Sequence, residues 1–264
     1  PWWGLLQGSA DWQLRASLDN ANAAAGKPPL DLALQSDLRG MALDLPAPFG
    51  KAADSTRALR IDTRLVPEQP PTITARLGDI GARLALAAGP DGPALERAAL
   101  DLSQLPEALP ETAGIELRGR LGDVALGDWL QWGAEHASVL QAAEGRASGP
   151  RLLPARLSAQ SLRLGVLRFE NVRAGLTPAT EGGWRIGLEA DGNSASVRLP
   201  GGDDAPVVVR LDTLDLAPLL AAQQAEQGPA AAGPDPRRVP PLSLQVEALR
   251  RGQDALGRLR LELA

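Results

Sequence analysis

The feature that most constrains this chain is a two-residue rhythm that returns along nearly its whole length. Leu30, Leu32 and Leu34 alternate with Asp31 and Ala33, and Leu43 and Leu45 flank Asp44. The beat continues through Leu59, Ile61, Thr63 and Leu65, then Ile73, Ala75 and Leu77, then Leu84, Leu86 and Ala88. It returns at Ile115, Leu117, Gly119 and Leu121, and again at Trp184, Ile186, Leu188 and Ala190. Val197 and Leu199, Val207, Val209 and Leu211, and Leu242, Leu244 and Val246 carry it on to Leu259, Leu261 and Leu263. Successive strand side chains point to opposite faces, so this spacing predicts strands with one apolar and one wetted side. Such strands belong to antiparallel sheet solvated on one face.

Turn chemistry agrees. Gly89-Pro90-Asp91-Gly92-Pro93 separates two strand runs, and Asp191-Gly192-Asn193 and Gly201-Gly202-Asp203-Asp204 divide residues 184–211 into three strands. The expected fold is mainly β: a long antiparallel meander forming a curved, groove-like sheet with two short helices.

Helical spacing replaces the beat twice. In "LGDWLQWGAEHASVLQAAEG", Asp128 is placed to cap a helix over residues 128–143, with Gln131 completing a capping box. Trp129, Trp132, His136 and Leu140 then share a face. The second helix is expected over residues 216–225, with Pro218 in its first turn. Both follow one phrase, Arg120-Leu121-x-x-Val124-x-Leu126 and Arg210-Leu211-x-x-Leu214-x-Leu216. Residues 226–240, rich in Pro, Gly and Ala without periodicity, are expected as an exposed loop inserted in one elongated β-rich segment spanning residues 1–264.

Composition narrows the function. The net charge is -5 with basic residues dispersed along the chain, so no nucleic-acid footprint is present. The chain has no cysteine and a single histidine, His136, which removes thiolate chemistry and any His-His metal site within it. No metal or cofactor is expected. No apolar run reaches the ~20 residues of a membrane-spanning helix. Carboxylates fall on the polar beat or in turns, "FGKAADS" lacks the glycine spacing of a phosphate-binding loop, and no GxSxG motif occurs. His136 on its Trp/Leu stripe reads as a packing residue, and Trp184 on the apolar beat reads as core or groove. An enzyme is not expected.

Longer phrases carry a resemblance. "SDLRGMALDLPAPFGKAA", "GIELRGRLGDVALGDWLQW", "LRFENVRAGLTPATEGGWRIGLEADGNSASVRLP", "VVVRLDTLDLAPL" and "VPPLSLQVEALRRGQDALGRLRLELA" occur in that order. Together they resemble the YhdP family of AsmA-like proteins over essentially the whole chain. The resemblance implies a segment of a larger protein of the Gram-negative envelope. That protein is held in the inner membrane by an N-terminal anchor and crosses the periplasm as an elongated β structure. It also implies phospholipid as the partner, with acyl chains shielded in an apolar groove during transport to the outer membrane, and the remainder of the same chain as the structural partner. The alternative is a scaffold module with no ligand.

The groove-lining residues expected on this reading are Leu43, Leu45, Ile61, Leu65, Ile73, Leu77, Leu84, Leu86, Ile115 and Leu117 in the first half. In the second half they are Trp184, Ile186, Leu188, Val207, Val209, Leu211, Leu242, Leu244, Val246, Leu259 and Leu261. Hydrocarbon needs a continuous dry surface and no fixed polar contact, so a Leu/Ile/Val strand face suffices. Within residues 36–53 the prolines read as strand punctuation, with Lys51 the one side chain able to grip a headgroup instead.

Overall fold

A computed structural model describes residues 2–20, 28–89, 92–136, 151–180, 182–202, 205–225 and 241–263. After a short 3-10 turn at Trp2–Leu5 come β1 (Leu6–Gly8), β2 (Gln13–Leu18), β3 (Leu30–Ser36), β4 (Met41–Leu43) and β5 (Leu59–Leu65). Then follow β6 (Thr72–Leu77), β7 (Ile80–Gly89), β8 (Gly92–Asp101), β9 (Gly114–Ala125) and α1 (Leu126–Glu135). β10 (Ala155–Leu164), β11 (Leu167–Pro178), β12 (Trp184–Ala190), β13 (Asn193–Leu199) and β14 (Val207–Asp215) precede α2 (Ala217–Ala225). β15 (Leu242–Arg251) and β16 (Asp254–Leu263) complete the set.

One open sheet of 14 strands runs in the order β2-β3-β5-β6-β7-β8-β9-β10-β11-β12-β13-β14-β15-β16, and β1 and β4 form a separate pair. The fold is mainly β with two short helices, as the rhythm predicts. It is not antiparallel throughout. β8 pairs with β9 and β14 with β15 in parallel, which makes the sheet mixed. A parallel neighbour requires the chain to cross back over the sheet before re-entering it. Residues 102–113 supply the first crossover, and α2 begins the second. The chain divides into two compact units, Pro1–Leu121 with Asp128–Leu153 and Gly122–Gly127 with Pro154–Ala264.

In the first unit the crossover after β8 lies on the polar side of β7 and β8. Arg83 Nε donates to Pro106 O at 2.6 Å, and Arg97 Nη1 donates to Pro110 O at 3.3 Å. It approaches so closely that a Cβ on Gly81 would sit 2.4 Å from Gln104 O. Ala85 and Ala99, on the same side by register, are buried. Asp101 opens the crossover by accepting from Ser103 N at 2.9 Å and Ser103 Oγ at 2.7 Å. Burial pushes its carboxyl up, but these bonds and those from Gln104 outweigh burial and hold it below the usual range. The group is a structural turn anchor.

The Pro-rich stretch after β3 is diverted from the large sheet. Gly40, at φ +89°, turns the chain, and its missing Cβ leaves room for Ser9 O, which would lie 2.4 Å away. β4 then pairs with β1, Leu43 opposite Leu6. Lys51 is 9% exposed, and its ammonium donates to Met41 O at 2.7 Å and Ala52 O at 2.9 Å. Arg57 donates to the carbonyls of Phe49, Pro48 and Gly50. Two cations thus organise the backbone of this loop, and Lys51 is a clip rather than a headgroup grip.

α1 packs on the same loop. Trp129 Nε1 donates to Ala47 O at 3.2 Å and Trp132 Nε1 to Asp44 O at 3.0 Å. Phe49 meets Trp129 edge-on at 5.7 Å, and His136 stacks on Trp132 at 4.6 Å. The expected stripe of Trp129, Trp132 and His136 is therefore the packing face; Leu140 lies outside the described residues. The helix begins at Leu126, two residues before the expected cap, so Asp128 sits in its first turn. Gln131 reaches forward to Glu135 Oε1 at 3.0 Å instead of back to a cap.

In the second unit β14 runs into α2 as β9 runs into α1, the repeat that the shared phrase implies. Residues 226–240, expected as a loop, lie outside the described residues. Asp215 governs the junction: its Oδ1 accepts from Ala217 N and from Gly252 N, both at 2.9 Å. One carboxylate caps the helix and ties it to the β15–β16 turn. These backbone bonds, from Ala217 first and Gly252 second, lower its pKa. A lowered folded value means that the contribution is fully present above the unfolded value of about 4 and is lost as pH falls through the folded value. Asp215→Ala should melt below the parent at neutral pH, and the gap should close in acid, below about pH 4. Melts that differ equally at both pH values would show that the ionised carboxylate contributes nothing.

Candidate functional site: the apolar sheet face

Register decides which side chains share a face, because residues directly opposite across a ladder point the same way. In the first unit Leu34 lies opposite Ile61, Ile61 opposite Ala75, Ala75 opposite Ala82, Ala82 opposite Leu100 and Leu100 opposite Leu117. A second row joins Leu32, Thr63, Ile73, Leu84, Ala98 and Ile115 across the same strands. Leu18, Leu30 and Leu65 form a third, shorter row, and Leu59, Leu77 and Ile80 a fourth. β8 carries a bulge at Glu96, the residue between Arg97 opposite Ala85 and Leu95 opposite Leu86.

The second unit builds a similar face by itself. Leu157, Ala174, Leu188, Ala195, Leu211, Val246 and Leu259 follow one another across β10 to β16. Beside them run Ala155, Leu176, Ile186, Val197, Val209, Leu244 and Leu261. Trp184 stands between Pro178 and Leu199, and Val207, Leu242 and Leu263 make a further row. At about 4.8 Å per strand, seven strands carry each long row across roughly 29 Å.

The opposite sides are polar. Arg60 pairs with Asp62 at 2.7 Å, Arg64 with Asp19 at 2.6 Å, Arg118 with Glu116 at 2.7 Å and Arg260 with Glu262 at 2.9 Å. These exposed pairs set the wetted face and contribute little stability.

What distinguishes the apolar side is how little of it is buried. Among the described residues the buried hydrophobic side chains are Leu38, Ala85, Ala98, Ala99, Ala155, Val172 and Val246. Four are alanines, and two of those lie on the polar side. A sheet packed on a second sheet would bury its Leu, Ile and Val beat. Here Ile61, Ile73, Leu84, Ile115, Ile186, Val209 and Leu244 are only half-buried, shielded by their neighbours in the row.

Of the residues expected to line a groove, the structure gathers Ile61, Leu65, Ile73, Leu77, Leu84, Leu86, Ile115 and Leu117 on the first face. It gathers Trp184, Ile186, Leu188, Val207, Val209, Leu211, Leu242, Leu244, Val246, Leu259 and Leu261 on the second. Leu43 and Leu45 are not among them. Leu43 belongs to the β1–β4 pair and Leu45 follows it in the loop, because Gly40 and Pro46 take this stretch out of the main sheet. Leu157, Leu176 and Leu100 are additions to the expected set. Their strands carry Ala or Ser on the apolar beat, which dilutes the alternation.

His136 is stacked and half-buried, with Asp44 Oδ2 3.9 Å from its Nε2. Among the described residues no group of three His, Cys, Asp or Glu side chains is placed to hold a metal ion. No helix among the described residues is long and apolar enough to cross a membrane.

A model of the YhdP protein family matches residues 1–264. No curated protein sequence and no solved structure matches the chain.

Val246 and Ile186 separate covered from uncovered positions on one face. Val246 is 2% exposed, so Val246→Asp places an unpartnered carboxylate out of water and should cost several kcal/mol, enough to unfold the unit. Ile186→Asp leaves its charge within reach of water and should cost about 1–2 kcal/mol. Urea denaturation compares them; equal losses would show that the face is closed at both.

Proposed function

The chain belongs to the YhdP family, and from that premise we propose that it is a segment of an envelope lipid conduit whose apolar sheet faces shield phospholipid acyl chains. The family points to the Gram-negative envelope. On this reading the segment works in the periplasm, within a protein anchored in the inner membrane, and passes phospholipid toward the outer membrane. The observation that carries the reading is the pairing of long apolar rows with side chains that stay half-buried. Contiguous exposed apolar surface beyond a few hundred Å² is rare on soluble proteins and marks a binding surface.

The chemistry asked of such a face is small. Acyl chains gain by leaving water and need no directed polar contact, so a surface free of charge lets them slide rather than lock. The described rows meet this: no Arg, Lys, Asp or Glu stands in the long rows of either unit. Charged side chains occupy the alternate positions and keep the other side in water.

Lipid recovery tests the proposal. Protein purified from a bacterial envelope should yield phospholipid on organic extraction. Ile186→Asp and Val209→Asp should stay folded and lose most of it, since a solvated carboxylate interrupts the row. Arg185→Asp and Arg210→Asp, on the polar side, should retain it. Lipid-free parent protein, or folded Ile186→Asp that keeps its full lipid, would favour a scaffold module with no ligand.

A further inference from the structure

The β10–β11 hairpin ends unlike the other hairpins. Its two-residue turn is Gly165-Val166, closed by Leu164 opposite Leu167, with Gly165 at φ +57°. A turn that needs positive φ at its first central position asks for Gly there and leaves the second free. Solvent ordinarily fills that place with a polar residue. The other described hairpin turns conform, with Glu68 and Gln69, Asp79, Asp191 and Gln253 at their tips. Here Val166 is 50% exposed and Leu164 39% exposed.

Two further observations bear on a partner. The pairing of β11 with β12 begins at Arg173 opposite Glu189, so β11 residues nearer the turn have no strand on that side. At about 3.4 Å per residue the tip stands roughly 20 Å beyond that first pair. Charge then frames the apolar tip. Arg163 and Arg168 are directly opposite each other, an arrangement that costs stability unless an anion answers it. Arg168 is answered by Glu170 at 2.5 Å and by Asp123 at 3.9 Å. Arg163 has no acidic partner among the described residues. An apolar point ringed by arginine, with no acid between residues 163 and 169, has the make-up of an interfacial anchor on negatively charged lipid.

We propose that the Leu164–Leu167 tip is a docking point for an anionic phospholipid surface, with Leu164 and Val166 entering the headgroup layer and Arg163 meeting phosphate. This does not depend on acyl chains lying along the sheet face. It concerns how one end of the second unit meets a bilayer. One apolar tip and one arginine without an acidic partner among the described residues give weak, reversible attachment, as suits a contact that must release.

The chain lacks cysteine, so Val166→Cys gives a single site for an environment-sensitive fluorophore. Vesicles of phosphatidylcholine with phosphatidylglycerol should blue-shift and brighten this probe severalfold. Vesicles of phosphatidylcholine alone should do much less, and a probe at Gln253→Cys should not respond. Arg163→Glu in the labelled protein should weaken the response about tenfold in lipid concentration. Unlabelled Val166→Asp, at an exposed turn position, should keep its melting temperature and lose flotation with anionic vesicles. Four results would each overturn the proposal. They are a silent probe at 166, an equal response at 253, an affinity indifferent to Arg163→Glu, or a blue shift that grows with protein concentration in the absence of vesicles.

Discussion

Apolar side chains pairing across one face of a sheet hold this protein together, and no second large sheet stands behind them among the described residues. Each such pair is worth about 0.2–1 kcal/mol, so stability must accumulate along rows rather than concentrate in a core. That is why Leu, Ile and Val recur at every second position in strand after strand. Val197 lies between Ile186 and Val209, and Ile73 between Thr63 and Leu84. The same arrangement leaves those side chains half in water. A fold stabilised in this way keeps an apolar surface available, which links its construction to its proposed use.

The remaining devices regulate where that surface begins and ends. The crossover after β8 seals part of the polar side, and Gly81 leaves room for its backbone. Gly40, Lys51 and Arg57 fold the Pro-rich loop away from the main sheet and give α1 its seat. Asp215 fixes the start of α2 and the β15–β16 turn with one carboxylate. All three are backbone-directed interactions, made by side chains that satisfy carbonyl or N–H groups the sheet cannot.

Much of this was legible in the sequence, for physical reasons that can be located. Period-two alternation is a direct record of which side meets water, so the faces through Ile61, Ile73, Ile186 and Val209 could be read residue by residue. The strand-to-helix phrase at Leu121–Leu126 and Leu211–Leu216 was likewise legible. Strand direction was not, since alternation is the same in parallel and antiparallel ladders and only the crossovers distinguish them. Leu43 and Leu45 share the beat of the main sheet but not its hydrogen bonds, because Gly40 acts on backbone direction rather than on hydrophobicity. The start of α1 was misplaced because a capping residue identifies a helix only when its side chain makes the bond; Asp128 lies inside the first turn. The apolar tip at Val166 follows from its exposure and its projection past the β11–β12 pairing, which alternation does not record.

Val208 and Val209 offer the sharpest measurement. They are the same residue type, adjacent in β14, and both half-buried, yet they point to opposite sides. Val209 lies between Val197 and Leu244 on the apolar face, and Val208 between Arg198 and Ser243 on the polar one. A photo-crosslinking amino acid placed at each position in living cells reports what touches it. Phospholipid cross-linked from position 209 and not from 208 is the predicted result. Equal labelling at both, or none at 209 with the protein intact, would contradict an acyl-chain-bearing face.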